Sequence, residues 1–166
     1  NNIADNSIYS TIAGGYQNDI GTNADYSAIG GGYNNNIAAN SGESTIAGGW
    51  ANDIGTNSDY SAIGGGNNNN IADNAQYAVI PGGYYCAAAS YSFASGRRAK
   101  ATNDGAFVWA DSSDYEIGST NNNSWTVRCT GGARFASAIS GAGAPTAGVI
   151  LGAGAGAWAN LSDRNA

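Results

Sequence analysis

The first half of the sequence repeats itself with a fixed period. Residues 10–26 read STIAGGYQNDIGTNADY and residues 44–60 read STIAGGWANDIGTNSDY, with three differences among 17 positions. A related unit separates them, another follows, and a diverged copy ends at residue 94. Seventeen residues are too few for helical-repeat or propeller units, but they fit one coil of a β-solenoid with two short strands and two turns. The repeat therefore predicts stacked coils over residues 1–94.

Stacked coils of equal length bring equivalent residues into ladders with a spacing of about 4.8 Å. Two coil positions hold isoleucine, whose β-branched side chain suits strands, and two hold asparagine, whose stacked amides hydrogen-bond along the axis. The isoleucine ladders are Ile12, Ile29, Ile46, Ile63 and Ile80, and Ile3, Ile20, Ile37, Ile54 and Ile71. The asparagine ladders are Asn1, Asn18, Asn35, Asn52 and Asn69, and Asn6, Asn23, Asn40, Asn57 and Asn74. We expect these asparagines to brace turns.

Two isoleucines per coil make a thin core for a chain with 26 glycines, which lose much backbone entropy on folding. Small cores of this kind usually need oligomerisation or cross-links. We therefore expect a multimer, in which one isoleucine ladder fills the coil and the other meets its copies in neighbouring subunits.

Charge and composition argue against several functions. Residues 1–96 carry seven acids and no base, so a nucleic acid is not an expected partner. The apolar run 147–159 is too short to span a bilayer, and no membrane insertion is expected. Histidine is absent, and the acids follow the repeat instead of converging. We expect neither a cofactor, a metal site nor an enzyme active site.

Aromatic residues are the best candidates for ligand binding. Tyr16, Tyr33, Trp50 and Tyr84 follow the glycine pairs at one coil position, which Asn67 interrupts. Tyr26 and Tyr60, together with Tyr9 and Tyr77, occupy a second position, which Glu43 interrupts. Flat rings with a polar edge beside asparagine side chains are typical of glycan-binding surfaces. The same rings would also serve to cover the flanks of the solenoid or seams between subunits.

The repeats, of the type N-x-x-A/S-x-x-I-x-G-G, resemble the head domains of trimeric autotransporter adhesins and related phage tail fibres. The run SFASGRRAKA at 92–101 looks like the basic neck of that family. The resemblance implies a homotrimer with a left-handed parallel β-roll, a location on a virion tail fibre or bacterial surface, and a host-surface glycan or protein receptor. The resulting domains are a β-roll head (1–94), a neck (95–111), a β-rich stalk (112–140) and a Gly/Ala linker (141–166). Alternation over 124–135 predicts a half-buried strand pair.

The ending LSDRNA is similar to the junction that precedes an endosialidase-type intramolecular chaperone. That resemblance implies that Ser162 is the autoproteolytic nucleophile of a longer chain, which would cut itself between Leu161 and Ser162. The chain stops at Ala166, before the lysine that follows this motif in the family, so we expect the fragment itself not to cut. An ordinary surface tail is the alternative interpretation.

The remaining candidates are basic and sulfur-containing side chains. Arg97, Arg98 and Lys100 would attract an anionic glycan or, as we favour, pair with the nearby Asp104 or Asp111. Cys86 replaces an asparagine of the first asparagine ladder, and both it and Cys129 are expected to be free thiols.

The function expected from the sequence is a non-enzymatic structural and receptor-binding segment of a trimeric fibre. Two alternatives remain open. One is an ice-binding β-solenoid, which needs threonine on every coil, whereas Thr11 and Thr45 alternate with Ala28 and Ala62. The other is a glycan depolymerase with its active site between subunits.

Overall fold

The computed structural model describes residues 1–160 and contains two units, 1–127 and a second that begins at Arg128. All regular secondary structure in the described residues is β-strand. These residues contain no helix long and apolar enough to cross a membrane. The first unit is a solenoid of about seven turns with parallel stacked sheets. The predicted all-β solenoid with 17-residue coils is confirmed.

Two parallel sheets run the length of the first unit. The first sheet contains, in spatial order, β1 (Asn2–Ile3), β3 (Asp19–Ile20), β5 (Asn36–Ile37), β7 (Asp53–Ile54), β9 (Asn70–Ile71), β12 (Ala87–Ala88), β14 (Ala99–Ala101) and β16 (Ile117–Gly118). The second contains β2 (Thr11–Ile12), β4 (Ala28–Ile29), β6 (Thr45–Ile46), β8 (Ala62–Ile63), β10 (Val79–Ile80), β13 (Phe93–Arg97), β15 (Phe107–Ala110) and β17 (Trp125–Arg128), and β11 (Gly83–Tyr84) pairs with β13. Each coil thus contributes one strand to each sheet.

The register of both sheets places isoleucine on isoleucine. Ile20 pairs with Ile37 in the first sheet, and Ile29 pairs with Ile46 in the second. In each two-residue strand from β3 to β10 the second side chain is buried inside the coil, since successive side chains of a strand point to opposite faces. The inward residue is isoleucine in both sheets, so the two ladders meet inside one coil.

The expectation that one isoleucine ladder faces neighbouring subunits is therefore wrong. The members from Ile20 onward are at most 1% exposed, and within these two ladders only the first coil leaves isoleucine accessible, with Ile3 exposed and Ile12 half-buried. The sequence shows the period of the isoleucines but not the direction of their side chains, because each strand is very short. The predicted trimer and the left-handed twist of the coil stay predictions.

One asparagine ladder lies inside the coil and satisfies backbone groups at its corner. The Asn52 amide nitrogen donates to Asn35 Oδ1 (3.1 Å) and to the carbonyl oxygens of Gly48 (3.0 Å) and Gly66 (3.1 Å). Its oxygen accepts from the backbone N–H of Asn69 at 3.1 Å. The same pattern is repeated at Asn18, Asn35 and Asn69, which are almost fully buried. These amides replace the apolar filling that a larger coil would use.

The other asparagine ladder occupies a turn on the surface. Asn23, Asn40, Asn57 and Asn74 all have φ between 55° and 59°, a left-handed conformation that asparagine tolerates better than most residues. Asn23 Nδ2 donates to Asn40 Oδ1 at 3.1 Å, and the contact recurs along the ladder. Both the backbone requirement and the amide chain account for asparagine at this position.

Buried serines form a set of contacts that the sequence analysis did not identify. Ser44 Oγ donates to the carbonyl oxygen of Ser58 at 3.0 Å and accepts from the backbone N–H of Ser61 at 3.2 Å. Ser27 and Ser41 make equivalent bonds, and alanine takes this place in other coils. Because serine and alanine are both small, they let the turns approach closely while the hydroxyl satisfies the backbone.

The solenoid continues beyond residue 94, where the regular sequence period ends. Val79 pairs with Phe93, Phe93 pairs with Phe107, and Ala87 pairs with Lys100, so these coils are shorter than those of the repeat. The coil that follows is longer, since Ala99 pairs with Ile117, 18 positions farther along the chain. The coils change length without losing parallel pairing. A repeat search alone therefore places the end of the stack too early.

The second unit contains an antiparallel sheet of β18 (Gly132–Ile139), β19 (Pro145–Gly152) and β20 (Ala159–Asn160). Two strands lie where the sequence predicts a strand pair over 124–135, but they do not pair with each other, because β17 belongs to a sheet of the solenoid and β18 pairs with β19. In this unit the side chains of Phe135, Ile139, Val149 and Trp158 are all more than 40% exposed.

Candidate functional site

The first aromatic ladder comprises Tyr16, Tyr33, Trp50 and Tyr84, which lie on successive coils around Asn67. The glycine pair before each member fixes this row. A Cβ on Gly32, whose φ is 94°, would overlap the carbonyl oxygen of Gly49 on the next coil. Only glycine allows that approach, and it lets the N–H of Tyr33 reach Gly49 at 3.0 Å. The aromatic side chain that follows is directed outward.

The rings of this ladder are exposed and only loosely ordered against each other. Tyr16 and Tyr33 stack with centroids 5.8 Å apart, whereas Tyr33 meets Trp50 edge to face at 6.3 Å. Trp50 is 53% exposed, and Tyr84 is 38% exposed. Large rings that are half accessible on a rigid backbone can stack against a flat ligand at little cost in ordering.

The second aromatic ladder comprises Tyr9, Tyr26, Tyr60, Tyr77 and Tyr91, and Glu43 takes the rung between Tyr26 and Tyr60. All have φ between 52° and 60°, which is unusual for aromatic residues. The rings pack face to face, with centroids 5.1 Å apart for Tyr9 and Tyr26 and 5.0 Å apart for Tyr60 and Tyr77. Tyr91, which the sequence analysis did not assign to this ladder, stacks on Tyr77 at 5.2 Å.

Acidic groups surround the interruption of the second ladder. Asp59 Oδ1 accepts from the backbone N–H of Gly42 at 2.9 Å, directly beside Glu43, and Asp25 Oδ1 accepts from Ile8 N–H at 2.8 Å. The Glu43 carboxylate is the main cause of a raised pKa at the Tyr60 phenol, and Tyr77 adds to it. The Glu43 charge therefore acts on the neighbouring ring.

The basic cluster of Arg97, Arg98 and Lys100 pairs with acids farther along the chain. Asp114 accepts from Arg97 at 2.9 Å and from Arg98 at 2.7 Å, and Lys100 lies 3.7 Å from Glu116. The hydrogen bond from Arg98 is the main reason that the pKa of Asp114 is lowered. The sequence predicts Asp104 or Asp111 as partners and does not indicate Asp114, because the lengths of the later coils are not evident from it.

The arginines also extend the first aromatic ladder. Arg97 pairs with Tyr84 in the strand register, and its guanidinium lies 5.7 Å from the centre of that ring. Arg98 lies 5.4 Å from the ring centre of Tyr85. Trp109, on the next coil, borders a shallow groove with Tyr84 and Arg97. Trp109 was missed as a surface aromatic because its strand lies outside the regular sequence period.

Other candidate residues lie apart from these ladders. Cys86 is a buried free thiol in the asparagine ladder, where its N–H donates to Asn69 Oδ1 at 3.0 Å, and Cys129 is a half-buried free thiol. Burial raises the pKa of the Cys86 thiol, which disfavours the reactive thiolate. Within residues 1–160 no three histidine, cysteine or acidic side chains are grouped so as to hold a metal. The proposed nucleophile Ser162 lies outside the described residues.

The geometry thus offers two exposed aromatic rows on a rigid solenoid, one mixed with asparagine and arginine and the other interrupted by an acid. No protein-family model matches this sequence, and no curated protein matches it either.

Proposed function

We propose that this chain is a non-enzymatic, receptor-binding segment of a trimeric fibre on a phage tail or bacterial surface. The observation that carries the proposal is the first aromatic ladder, whose rings remain exposed on a backbone held by buried asparagines and isoleucines. A solenoid of this kind has little freedom to lose on binding, so rings presented along it suit repeated, weak contacts with an extended ligand.

The ligand class that best fits this ladder is a neutral or weakly charged glycan. Aromatic rings stack on sugar faces, and the amides of Asn67 and Asn68 between Trp50 and Tyr84 supply donors and acceptors for hydroxyl groups. The side-chain amide of Asn68 donates to Oδ1 of Asn67, so the two amides restrain each other. A glycan chain running along the axis would meet several such rungs.

The exposed apolar side chains of the second unit support an oligomer. Phe135 is 47% exposed, Val149 41% and Trp158 50% within a single chain. Burial of such area on a partner is favourable by about 25 cal/mol per Å². With the family resemblance setting the number of subunits, a homotrimer is the assembly that we propose.

An ice-binding role receives less support. Thr11 pairs with Ala28 and Thr45 with Ala62 in the strand register, so threonine does not recur on successive coils. Across the described coils, the second sheet therefore lacks a flat row of matched hydroxyls.

The test is binding to a glycan array by the full chain and by Trp50→Ala, with Trp125→Ala as a control at an exposed tryptophan outside the ladder. We expect the Trp50 variant to lose about tenfold in binding, in the range of one stacking contact, while its circular dichroism is unchanged. Unaltered binding by that variant would assign the ladder to structure alone. A wild-type chain that binds no glycan and no host cell would overturn the proposal.

A further inference from the structure

The second aromatic ladder has a missing ring at a defined place. Tyr26, Glu43 and Tyr60 share the same left-handed backbone conformation, with φ of 56°, 52° and 59°. The N–H of Glu43 donates to Asp25 O at 2.8 Å, and that of Tyr60 donates to Gly42 O at 3.1 Å. Glu43 therefore stands on the rung between the two tyrosines, where a ring would continue the stack.

The spacing of the ladder determines what fits in the gap. Adjacent rings elsewhere in it are 5.0 to 5.2 Å apart. Two rungs of a parallel stack span about 10 Å, so the rings of Tyr26 and Tyr60 are separated by about the thickness of one ring or one ammonium group. The residue on the rung between them is Glu43, whose side chain is narrower than a ring. A group placed there lies about 5 Å from both ring faces, within the range of a cation–π contact.

The charge of the gap selects a cation. Glu43 is exposed and lies beside Asp59, whose carboxylate is anchored to the Gly42 N–H. Residues 1–96 contain no lysine, arginine or histidine, so this part of the chain supplies no base for these acids. The raised pKa of Tyr60 agrees with a carboxylate close to its ring.

We propose that Tyr26, Glu43 and Tyr60 form a binding slot for an organic cation, an ammonium or guanidinium group. Two tyrosine faces and a carboxylate complement the positive charge of such a group, whereas they offer no such charge complementarity to a neutral sugar. The same chain already uses this chemistry internally, since Arg97 and Arg98 lie over Tyr84 and Tyr85. The slot is distinct from the first aromatic ladder and does not depend on the glycan proposal.

The test follows the ring signals of carbon-13-labelled tyrosine in the full chain during titration with tetramethylammonium chloride. Sodium chloride at equal ionic strength and tert-butyl alcohol are the parallel titrants, the second being a neutral molecule of similar shape. We expect saturable shifts at Tyr26 and Tyr60 with tetramethylammonium only. Nα-acetyl-lysine amide and Nα-acetyl-arginine amide, which keep their side-chain charge, are titrated in the same way. Binding of these probes would indicate a protein side chain as the source of the cation, and binding of tetramethylammonium alone would indicate a quaternary ammonium headgroup.

Variants decide whether the slot is responsible. Glu43→Gln keeps the shape and removes the charge, and we expect it to weaken binding about fivefold. Glu43→Tyr fills the rung and should abolish binding, whereas Asp5→Asn removes an equal charge from an exposed position and should change nothing. Equal shifts with tert-butyl alcohol, full affinity in Glu43→Gln, or no saturable shift in the wild-type chain would each overturn the proposal.

Discussion

The Asn36 side-chain amide donates a 2.6 Å hydrogen bond to Oδ1 of Asp53 on the next coil. Asn70 donates to the other oxygen of Asp53 at 3.1 Å, and Asn2 donates to Asp19 at 2.7 Å. Asparagine and aspartate thus alternate along this outward row, so no two carboxylates of the row occupy neighbouring rungs in the described coils. This alternation gives a physical reason for the sequence to repeat most closely every second coil.

Substitution of Asn36 by aspartate tests the alternation. It would place a third carboxylate between Asp19 and Asp53, about 5 Å from each, and we expect a loss of about 1 to 2 kcal/mol of stability at neutral pH. The loss should shrink in high salt, which screens the repulsion between the carboxylates. Thermal unfolding measures it, with Asp53→Asn as the charge-removing control. Equal loss in every buffer would show that charge repulsion is not the cause.

The buried asparagine ladder should be far more costly to break than the exposed one. Asn52→Ala leaves the Gly48 carbonyl and the Asn69 N–H without their hydrogen-bond partner and removes one of the two donors to the Gly66 carbonyl. We expect a loss of about 3 kcal/mol or more. Asn57→Gly removes an exposed amide while it keeps the left-handed backbone accessible, and should cost about 1 kcal/mol. Guanidinium denaturation at one protein concentration compares the two. Equal losses would mean that the inner amides contribute no more than a surface contact.

The position of Ile37 inside its own coil makes a separate prediction. Ile37→Val should lower stability by about 1 kcal/mol and leave the molecular mass in solution unchanged, since no subunit contact is altered. Ile37→Asp should abolish the β-sheet signal in circular dichroism, because it buries an unpaired charge. A folded Ile37→Asp chain that had only dissociated into monomers would place this residue at a subunit interface instead.

The ion pairs of Asp114 predict a pH dependence. Its pKa is lowered in the folded state, so its contribution is present above the unfolded pKa and is lost as the pH falls through the folded pKa. Asp114→Asn should therefore lower the melting temperature by about 1 to 3 °C at pH 7, a small effect for an exposed pair. The difference should close at about pH 2. A difference that stayed constant across that range would assign the effect to something other than the carboxylate charge.

The sequence predicts the coils well because the repeat states the register directly. Ile29 and Ile46 occupy the same place in successive repeats and pair as expected. The direction of the isoleucine ladders could not be predicted in the same way, since such short strands show no alternation. The ion pair between Arg98 and Asp114 lies outside the regular repeat, where the sequence period does not give the coil length and hence does not show which residues are neighbours.

The candidate site was only partly evident. The aromatic positions after the glycine pairs follow from the period, but the stack of Tyr91 on Tyr77 depends on a shortened coil, which brings Phe93 into register with Val79. The position of Glu43 between two tyrosines of a stack is evident only in the structure, because in the sequence Glu43 is simply a residue that departs from the repeat. The environment of a residue that departs from the repeat is set by the equivalent residues on the coils before and after it.

The number of chains in solution decides whether this chain is a segment of a trimeric fibre. Light scattering coupled to size exclusion should give three times the chain mass of 16.6 kDa, unchanged over a tenfold dilution. The exposed Phe135 and Trp158 should then be protected, and their replacement by serine should release monomers. A folded wild-type protein that remains at the mass of one chain would show that this segment does not form a trimer.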